Sequence, residues 1–302
     1  MSTPTPFEPV PKTTSDWLVA AKKAKVENTS LFSFRDHCSA SKVTKPQFLS
    51  FRTLVIPRKV QDFNPARWGL GQKLVTATQE LNQSPDFQNL LNAIRNPPAP
   101  PTGDFSQILK MHAEVTRDIE NNYPEKLQKA DETPVNVSLI CLLQGIADIA
   151  TGPVVRWRHT KVQFEAIFGS LPGGVKRGML AIMDGQLQST VSHEVRAIVE
   201  CKRHERAPQD NMIGMQEAAL FVAWIKEYSR YPNLSRVLVS QDSMQLYITF
   251  AETPLKWREF LLQNKTSGNT RSFMRLHRFG PWDLGQANHV NQAAAILLAI
   301  TK

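Results

Sequence analysis

The order of hydrophobic periods beyond residue 153 restricts this chain more than any other feature. Arg177 to Asp184 and Val195 to Lys202 are runs of strand length, with Gly185 allowing a bend after the first. Met212 to Tyr228 places Met215, Ala218, Val222 and Ile225 on one helical face. Arg236 to Ser240 is a third strand and Gln241-Asp242-Ser243 a turn. Leu246, Ile248 and Phe250 then alternate with Gln245, Tyr247 and Thr249, the period of a half-buried strand. Ala287 to Ile300 is an apolar helix. A β-β-α-β-β order with flanking helices buries its apolar faces in layers, so the chain predicts an α/β or α+β domain.

The segments before it are more helical. Residues 1–14 hold Pro, Thr and Ser without an apolar run and predict a disordered tail. Asp16 to Val26 predicts a short basic helix, and Leu74 to Ile94 a longer one. Gln47 to Pro57 is mixed, with a strand over Phe51, Leu54 and Ile56. Asn96-Pro97-Pro98-Ala99-Pro100-Pro101 is the strongest breaker in the chain. The expected division is therefore a tail over 1–14, a mainly helical region over 15–95, a Pro-rich linker over 96–104 and the α/β domain over 105–302. That domain opens with a helix from Phe105 to Asn121, then one started by Pro134 and striped by Leu139, Leu142, Leu143, Ile146 and Ile149. Arg156, Arg158 and Lys161 lead into Phe164 to Phe168, read as helical, and Gly173-Gly174 as a turn.

The chemistry gathers at two strand ends. In Ala197-Ile198-Val199-Glu200-Cys201-Lys202, Glu200 and Lys202 are two apart and share a face, at the end of an otherwise apolar strand. Asp184 ends the preceding strand, and pairing of the two would bring it to Glu200. Two carboxylates beside a lysine make a hard-oxygen site suited to Mg²⁺. The plainer readings are an exposed ion pair for Glu200 and Lys202, a turn for Asp184-Gly185, and a helix-surface position for Gln216.

Asp184-Gly185, then Glu200-Cys201-Lys202, then Gln216 on the next helix, resembles the PD-(D/E)xK nuclease superfamily. The wider pattern resembles uncharacterised fungal nuclease-like proteins of that kind, through Val199 to Arg203, Met215 to Ala219, Val239 to Asp242 and Phe279 to Trp282. The likeness covers roughly residues 130–302. It implies a restriction-endonuclease-like central mixed sheet flanked by helices, and Mg²⁺- or Mn²⁺-dependent hydrolysis of phosphodiester bonds. It implies that Asp184, Glu200 and the backbone carbonyl of Cys201 bind the metal. Lys202 would orient or activate water and stabilise negative charge, and Gln216 would support the water or the phosphate. Glu165, on the helix read before the first strand, would match the family's upstream acid; the plainer reading of Glu165 is a solvated helix residue. The sequence departs from the pattern at Met183, where the family has Pro.

The expected partner is nucleic acid, DNA over RNA; composition permits an acidic partner without separating the two, since 36 Lys and Arg against 27 Asp and Glu leave a net charge of +9. Lys176, Arg177, Lys202, Arg203, His204 and Arg206 lie near the motif, whereas Arg271, Arg275, His277 and Arg278 read as a solvated face. Apolar residues at 41% of 302 rule out disorder throughout and allow a substantial core. Cys38, Cys141 and Cys201 form neither a disulfide framework nor a zinc spacing. The seven His residues show no HExxH, and no Walker loop, GxSxG or dinucleotide fingerprint occurs. With neither a secretory pattern nor a membrane span, the expectation is an intracellular protein, cytoplasmic or nuclear. Lys22, Lys23 and Lys25 are too few for an import signal. The rival expectation is a catalytically inactive scaffold that keeps the fold and binds a partner.

Overall fold

A computed structural model describes residues 9–34, 37–97, 103–120, 132–150, 154–170, 172–207, 210–229, 236–264 and 272–302. Residues 1–8 of the expected tail and 98–102 of the expected linker lie outside them, as do Asn121 and Arg271. In chain order the elements are α1 (Thr14–Lys23), α2 (Lys45–Ser50), β1 (Thr53–Arg58), α3 (Gly71–Gln83), α4 (Pro85–Arg95), α5 (Ser106–Glu120) and α6 (Thr133–Asp148). There follow β2 (Val155–Arg158), β3 (Val162–Ser170), β4 (Lys176–Met183), β5 (Gly185–Ser189), β6 (Val195–Lys202), α7 (Asp210–Glu227), β7 (Arg236–Asp242), β8 (Gln245–Glu252), α8 (Leu255–Gln263), β9 (Met274–Asp283) and α9 (Ala287–Thr301).

The protein is a mixed α/β structure whose seven-stranded sheet runs β1-β9-β8-β7-β6-β5-β2, beside a separate β3-β4 hairpin. The pairs β1/β9 and β6/β7 are parallel and the rest antiparallel. A parallel pair needs a crossover, and α7 supplies it between β6 and β7. One sheet face buries Trp157, Leu187, Val199, Val239 and Phe250 with α3, α4, α6 and α9. The other buries Ile198, Leu238 and Leu276 with α1, α7, α8 and the hairpin. From Ile213 to Ile225, α7 is buried on nearly every side, because the sheet lies under it and the hairpin over it.

Several expectations change. The Pro-rich stretch divides the chain but not the sheet: β1 pairs along its whole length with β9, so residues before 95 complete the same layer. Residues 9–13 are packed, not a tail: Val10 is buried and its N–H donates to Asn211 Oδ1 (3.1 Å), while Pro11 O accepts from Val55 N (3.0 Å). The run from Leu74 to Ile94 is two helices, because Ser84 caps α4 through Phe87 N–H and Pro85 starts it. Glu165 lies on a strand, not on a helix, and Arg156 and Arg158 lie on the strand before it; their polar sides alternate with buried Val155, Trp157 and Phe164. Gly185 starts a strand instead of a bend, and Gln241 and Asp242 finish β7 instead of forming a turn. Phe279 to Trp282 is inside β9 at a register slip opposite β8. There Gly280 (φ 129°) presses on β8, so that a Cβ would lie 2.8 Å from Leu246 O. Helix α8 had no counterpart in the periodicity.

Helix α5 buries His112 with no partner for Nε2, and burial lowers its pKa to about 4. The folded state then binds fewer protons than the unfolded chain between pH 6.5 and about 4. Its stability contribution is whole above 6.5 and is lost as pH falls through that window. Urea titrations at pH 7 and pH 4.5 should therefore differ less for His112→Leu than for the wild type; equal differences would remove His112 as the cause.

Candidate active site

The site forms because β6 outruns its neighbour. The last β5/β6 pair is Gly185 with Val199, so Glu200, Cys201 and Lys202 extend beyond it. Asp184 sits where β4 leaves for the hairpin and β5 enters the sheet. Its N–H donates to Val199 O (3.0 Å), and its Oδ2 accepts from Cys201 N–H (3.0 Å). Val199 O and Cys201 N–H face Asp184, and backbone alternation turns the Cys201 carbonyl to that side too. Asn136 at the start of α6 donates through Nδ2 to Asp184 O (3.1 Å), and Lys161 Nζ is 3.4 Å from Asp184 Oδ1.

Glu200 and Lys202 point to the α7 side. Glu200 is buried, with 4% of its side chain exposed, and its Oε1 accepts from Lys202 Nζ (2.7 Å) and from Gln216 Nε2. Its Oε2 is buried without a partner. Lys202 also reaches Glu132 Oε1 (3.2 Å). Burial pushes the Glu200 carboxyl up to about 8, opposed by Lys202 and reinforced by Asp184. For Lys202 burial works against the charge, but Glu200 and Glu132 outweigh it and hold the ammonium protonated above the ordinary lysine range. An ordinary ion pair would lower its acid and raise its base; here both partners move up, because burial of Glu200 outweighs the pull of Lys202, while Glu200 and Glu132 together outweigh the burial of Lys202. Cys201 is buried on the opposite face and its thiol is raised, chiefly by burial, so it is no nucleophile.

The structure therefore brings together Asp184, Glu200, Lys202, Gln216 and the Cys201 backbone. It does not bring Glu165 to them. Glu165 is exposed on β3 beside Lys176 (3.8 Å), and its N–H donates to Glu227 Oε2 (2.6 Å). Lys161, Glu132 and Asn136 complete the surroundings; no spacing in the sequence ties them to the motif. Among the described residues no group of three or more His, Cys, Asp or Glu is placed to hold a metal ion. What is present is a carboxylate pair, one oxygen of it orphaned, and one backbone carbonyl. That hard-oxygen set fits a divalent cation that completes its shell with water and substrate oxygens.

Behind Glu200 lies a second polar group. Arg206, read as part of a basic patch, is buried: Nε donates to Asp242 Oδ2 (2.6 Å), and the guanidinium forks Glu217 through Nη1 (3.1 Å) and Nη2 (2.7 Å). Ser240 Oγ joins it at 3.1 Å and donates to Glu217 Oε1 (3.0 Å). Arg278 is buried too, 2.6 Å from Asp210 Oδ1 and 3.8 Å from Glu217 Oε2. His277 is buried against Glu252 (3.1 Å), so His277 and Arg278 do not belong to a solvated face, whereas Arg275 is partly exposed. Burial would raise the Glu217 carboxyl, but Arg206 and Arg278 hold it below the usual range. Burial lifts Asp242 to about 6 despite Arg206. Glu217 follows Gln216 in α7, so this network anchors the turn of helix that carries Gln216.

At Gly185 the backbone must come close. A Cβ would stand 2.6 Å from Arg158 O and 3.0 Å from Ile140 Cδ1. Gly185→Ala should cost roughly 1–3 kcal/mol in a urea titration, the range for overpacking. An unchanged midpoint would show that β2 yields at no cost.

Comparison with protein-family models and with curated proteins returns no match for the chain.

Proposed function

We propose that the protein is a metal-dependent nuclease of the PD-(D/E)xK kind, with a restriction-endonuclease-like fold, acting on DNA. The observation that carries this reading is Glu200: a buried carboxylate bonded by Lys202 and Gln216, with Oε2 unpartnered, beside an Asp184 fixed by the Cys201 N–H. A buried carboxylate with an orphaned oxygen is costly unless something binds there. Asp184, Glu200 and the Cys201 carbonyl are the residues that would hold Mg²⁺ or Mn²⁺. When bound, such an ion polarises a phosphate and lowers the pKa of water.

The chain's own groups supply the rest. Hydrolysis forms a bond from water oxygen to phosphorus and breaks one to a bridging oxygen, which leaves with the electron pair and takes a proton. Lys202, held charged, is no base; it orients the water and balances the charge gained on the phosphoryl oxygens. Gln216 fixes the rotamer of Glu200 and keeps one amide hydrogen for a water or phosphate oxygen. The second reading, an inactive scaffold, draws on Lys202 being paired with both Glu200 and Glu132, a network that balances charge without a metal.

The test incubates the protein with single-stranded DNA, duplex DNA and RNA, with Mg²⁺ or Mn²⁺, alongside Lys202→Ala and Glu200→Ala. Metal-dependent cutting that falls by at least about 100-fold in both variants is the expected result. A folded wild type that cuts none of these substrates would favour the scaffold.

A further inference from the structure

We infer that the edge strand β2 is the track on which the phosphate backbone of the DNA strand lies as it enters the site, held by Arg156 and Arg158. The inference rests on the nuclease reading for its occupant and on separate geometry for its place. In β2 the burial alternates, with Val155 and Trp157 inward and Arg156 and Arg158 exposed. Residues directly opposite in an antiparallel ladder share a face. Arg158 pairs with Gln186, and Gln186 with Ile198. Ile198 is two residues before Glu200 on the same strand, so Arg156 and Arg158 stand on the sheet face that carries Glu200 and Lys202.

The direction also fits. β2 runs from Val155, opposite Ser189, to Arg158, opposite Gln186, so it approaches Gly185 and Asp184 as it proceeds. The chain then delivers Lys161, whose Nζ is 3.4 Å from Asp184 Oδ1 and whose side chain is 66% exposed. Three cations thus lead along one edge to the carboxylates. Neighbouring arginines on one strand face are about 6.7 Å apart, which sets two guanidinium groups in line along an extended anion. A guanidinium forks phosphate oxygens in a fixed geometry, which makes Arg the apt residue here.

Charge on an edge strand also blocks sheet-to-sheet addition, and that is the plainer use of Arg156 and Arg158. Blocking needs charge at the edge but is indifferent to the face. Here both arginines stand on the face of Glu200, and their row runs on to the lysine that touches Asp184. A polyanion bound there would place its next phosphate at the carboxylate pair, where Lys202 and a metal offset the negative charge.

The test measures fluorescence anisotropy of a labelled single-stranded DNA and of its duplex, without divalent metal, over a series of salt concentrations. It uses the wild type, Arg156→Ala/Arg158→Ala, and a control, Lys73→Ala/Arg95→Ala, which removes the same charge from α3 and α4 on the opposite sheet face. Both β2 residues are exposed, and circular dichroism reports the fold of each variant. The expected result is a loss of about tenfold or more in affinity, and a salt slope shallower by roughly 1.4 on single strands or 1.8 on duplex, in the β2 variant alone. Equal loss in the control would reduce the effect to net charge and overturn the track. Unchanged binding in the β2 variant, or no binding by the wild type, would overturn it as well. Cleavage is scored separately: a wild type that binds through β2 and never cuts would sink the nuclease reading and leave the track standing. Cutting with unchanged binding in the variant would do the reverse.

Discussion

Replacing Arg206 with Met is expected to cost about 3–5 kcal/mol of stability near neutral pH, the range for removing one partner of a buried ion network. Arg206 is 4% exposed and bonds Asp242, Glu217 and Ser240. Without it Glu217 keeps only Ser240 and the more distant Arg278, and Asp242 loses the one cation bonded to its carboxylate among the described residues. Burial already lifts Asp242 to about 6 with Arg206 in place. Removing the cation removes the contribution that opposes burial, so the carboxylates of the variant take up protons at higher pH. The variant should accordingly lose less stability at pH 5 than at pH 8, a slope that a simple cavity would not produce. Adding Glu217→Leu and Asp242→Asn should recover most of the loss, because replacing a whole buried network by apolar groups is close to neutral. Urea titrations of the three proteins at both pH values check this. A loss below about 1 kcal/mol would mean that water reaches the network and that it does not anchor α7.

The extent to which such features show in the sequence depends on how local they are. β6, α7, β7 and β8 stand out because each carries a mostly apolar run or a clean period. β2 and β3 do not, because exposed Arg156, Arg158 and Glu165 dilute runs whose apolar members are few. Gly185 reads as a bend on local propensity, yet it is the close approach of Arg158 O that calls for a glycine there. The pair Glu200 and Lys202 is visible because two charges interrupt an apolar strand, and Glu217 gives a similar signal amid Met215, Ala218 and Ala219. Arg206 gives none: in a polar loop a buried arginine and a solvated one look alike. Lys161, Glu132 and Asn136 reach the site only through the meeting of α6, the β2–β3 connection and β6, which no spacing encodes. The membrane question is simpler, since no helix among the described residues is long and apolar enough to cross a bilayer.

The Glu200→Gln variant is expected to be more stable than the wild type at pH 8.5 in the absence of divalent metal, and no less stable at pH 5. The Glu200 carboxyl titrates near 8 in the folded chain against an ordinary value of 4.5, chiefly because it is buried. Between those values the folded state holds a proton that the unfolded chain has released. Its contribution is therefore whole below 4.5 and is lost as pH rises through about 8, leaving a buried charge whose Oε2 has no partner. Glutamine keeps the shape, still accepts from Lys202 and Gln216 through its carbonyl oxygen, and does not ionise. The wild type should thus weaken from pH 5 to 8.5, on the order of a few kcal/mol, while the variant stays nearly level. Adding Mg²⁺ or Mn²⁺ at pH 8.5 should restore the wild type, by about 2.7 kcal/mol at a hundredfold excess over the dissociation constant, and leave the variant unmoved. A group that lowers stability until an ion arrives is what a binding site requires and what a structural ion pair does not. Destabilisation of Glu200→Gln at every pH would identify Glu200 as a structural partner of Lys202. A pH slope without any metal response would keep the buried acid and remove the metal, which is the behaviour of a scaffold that has retained the fold.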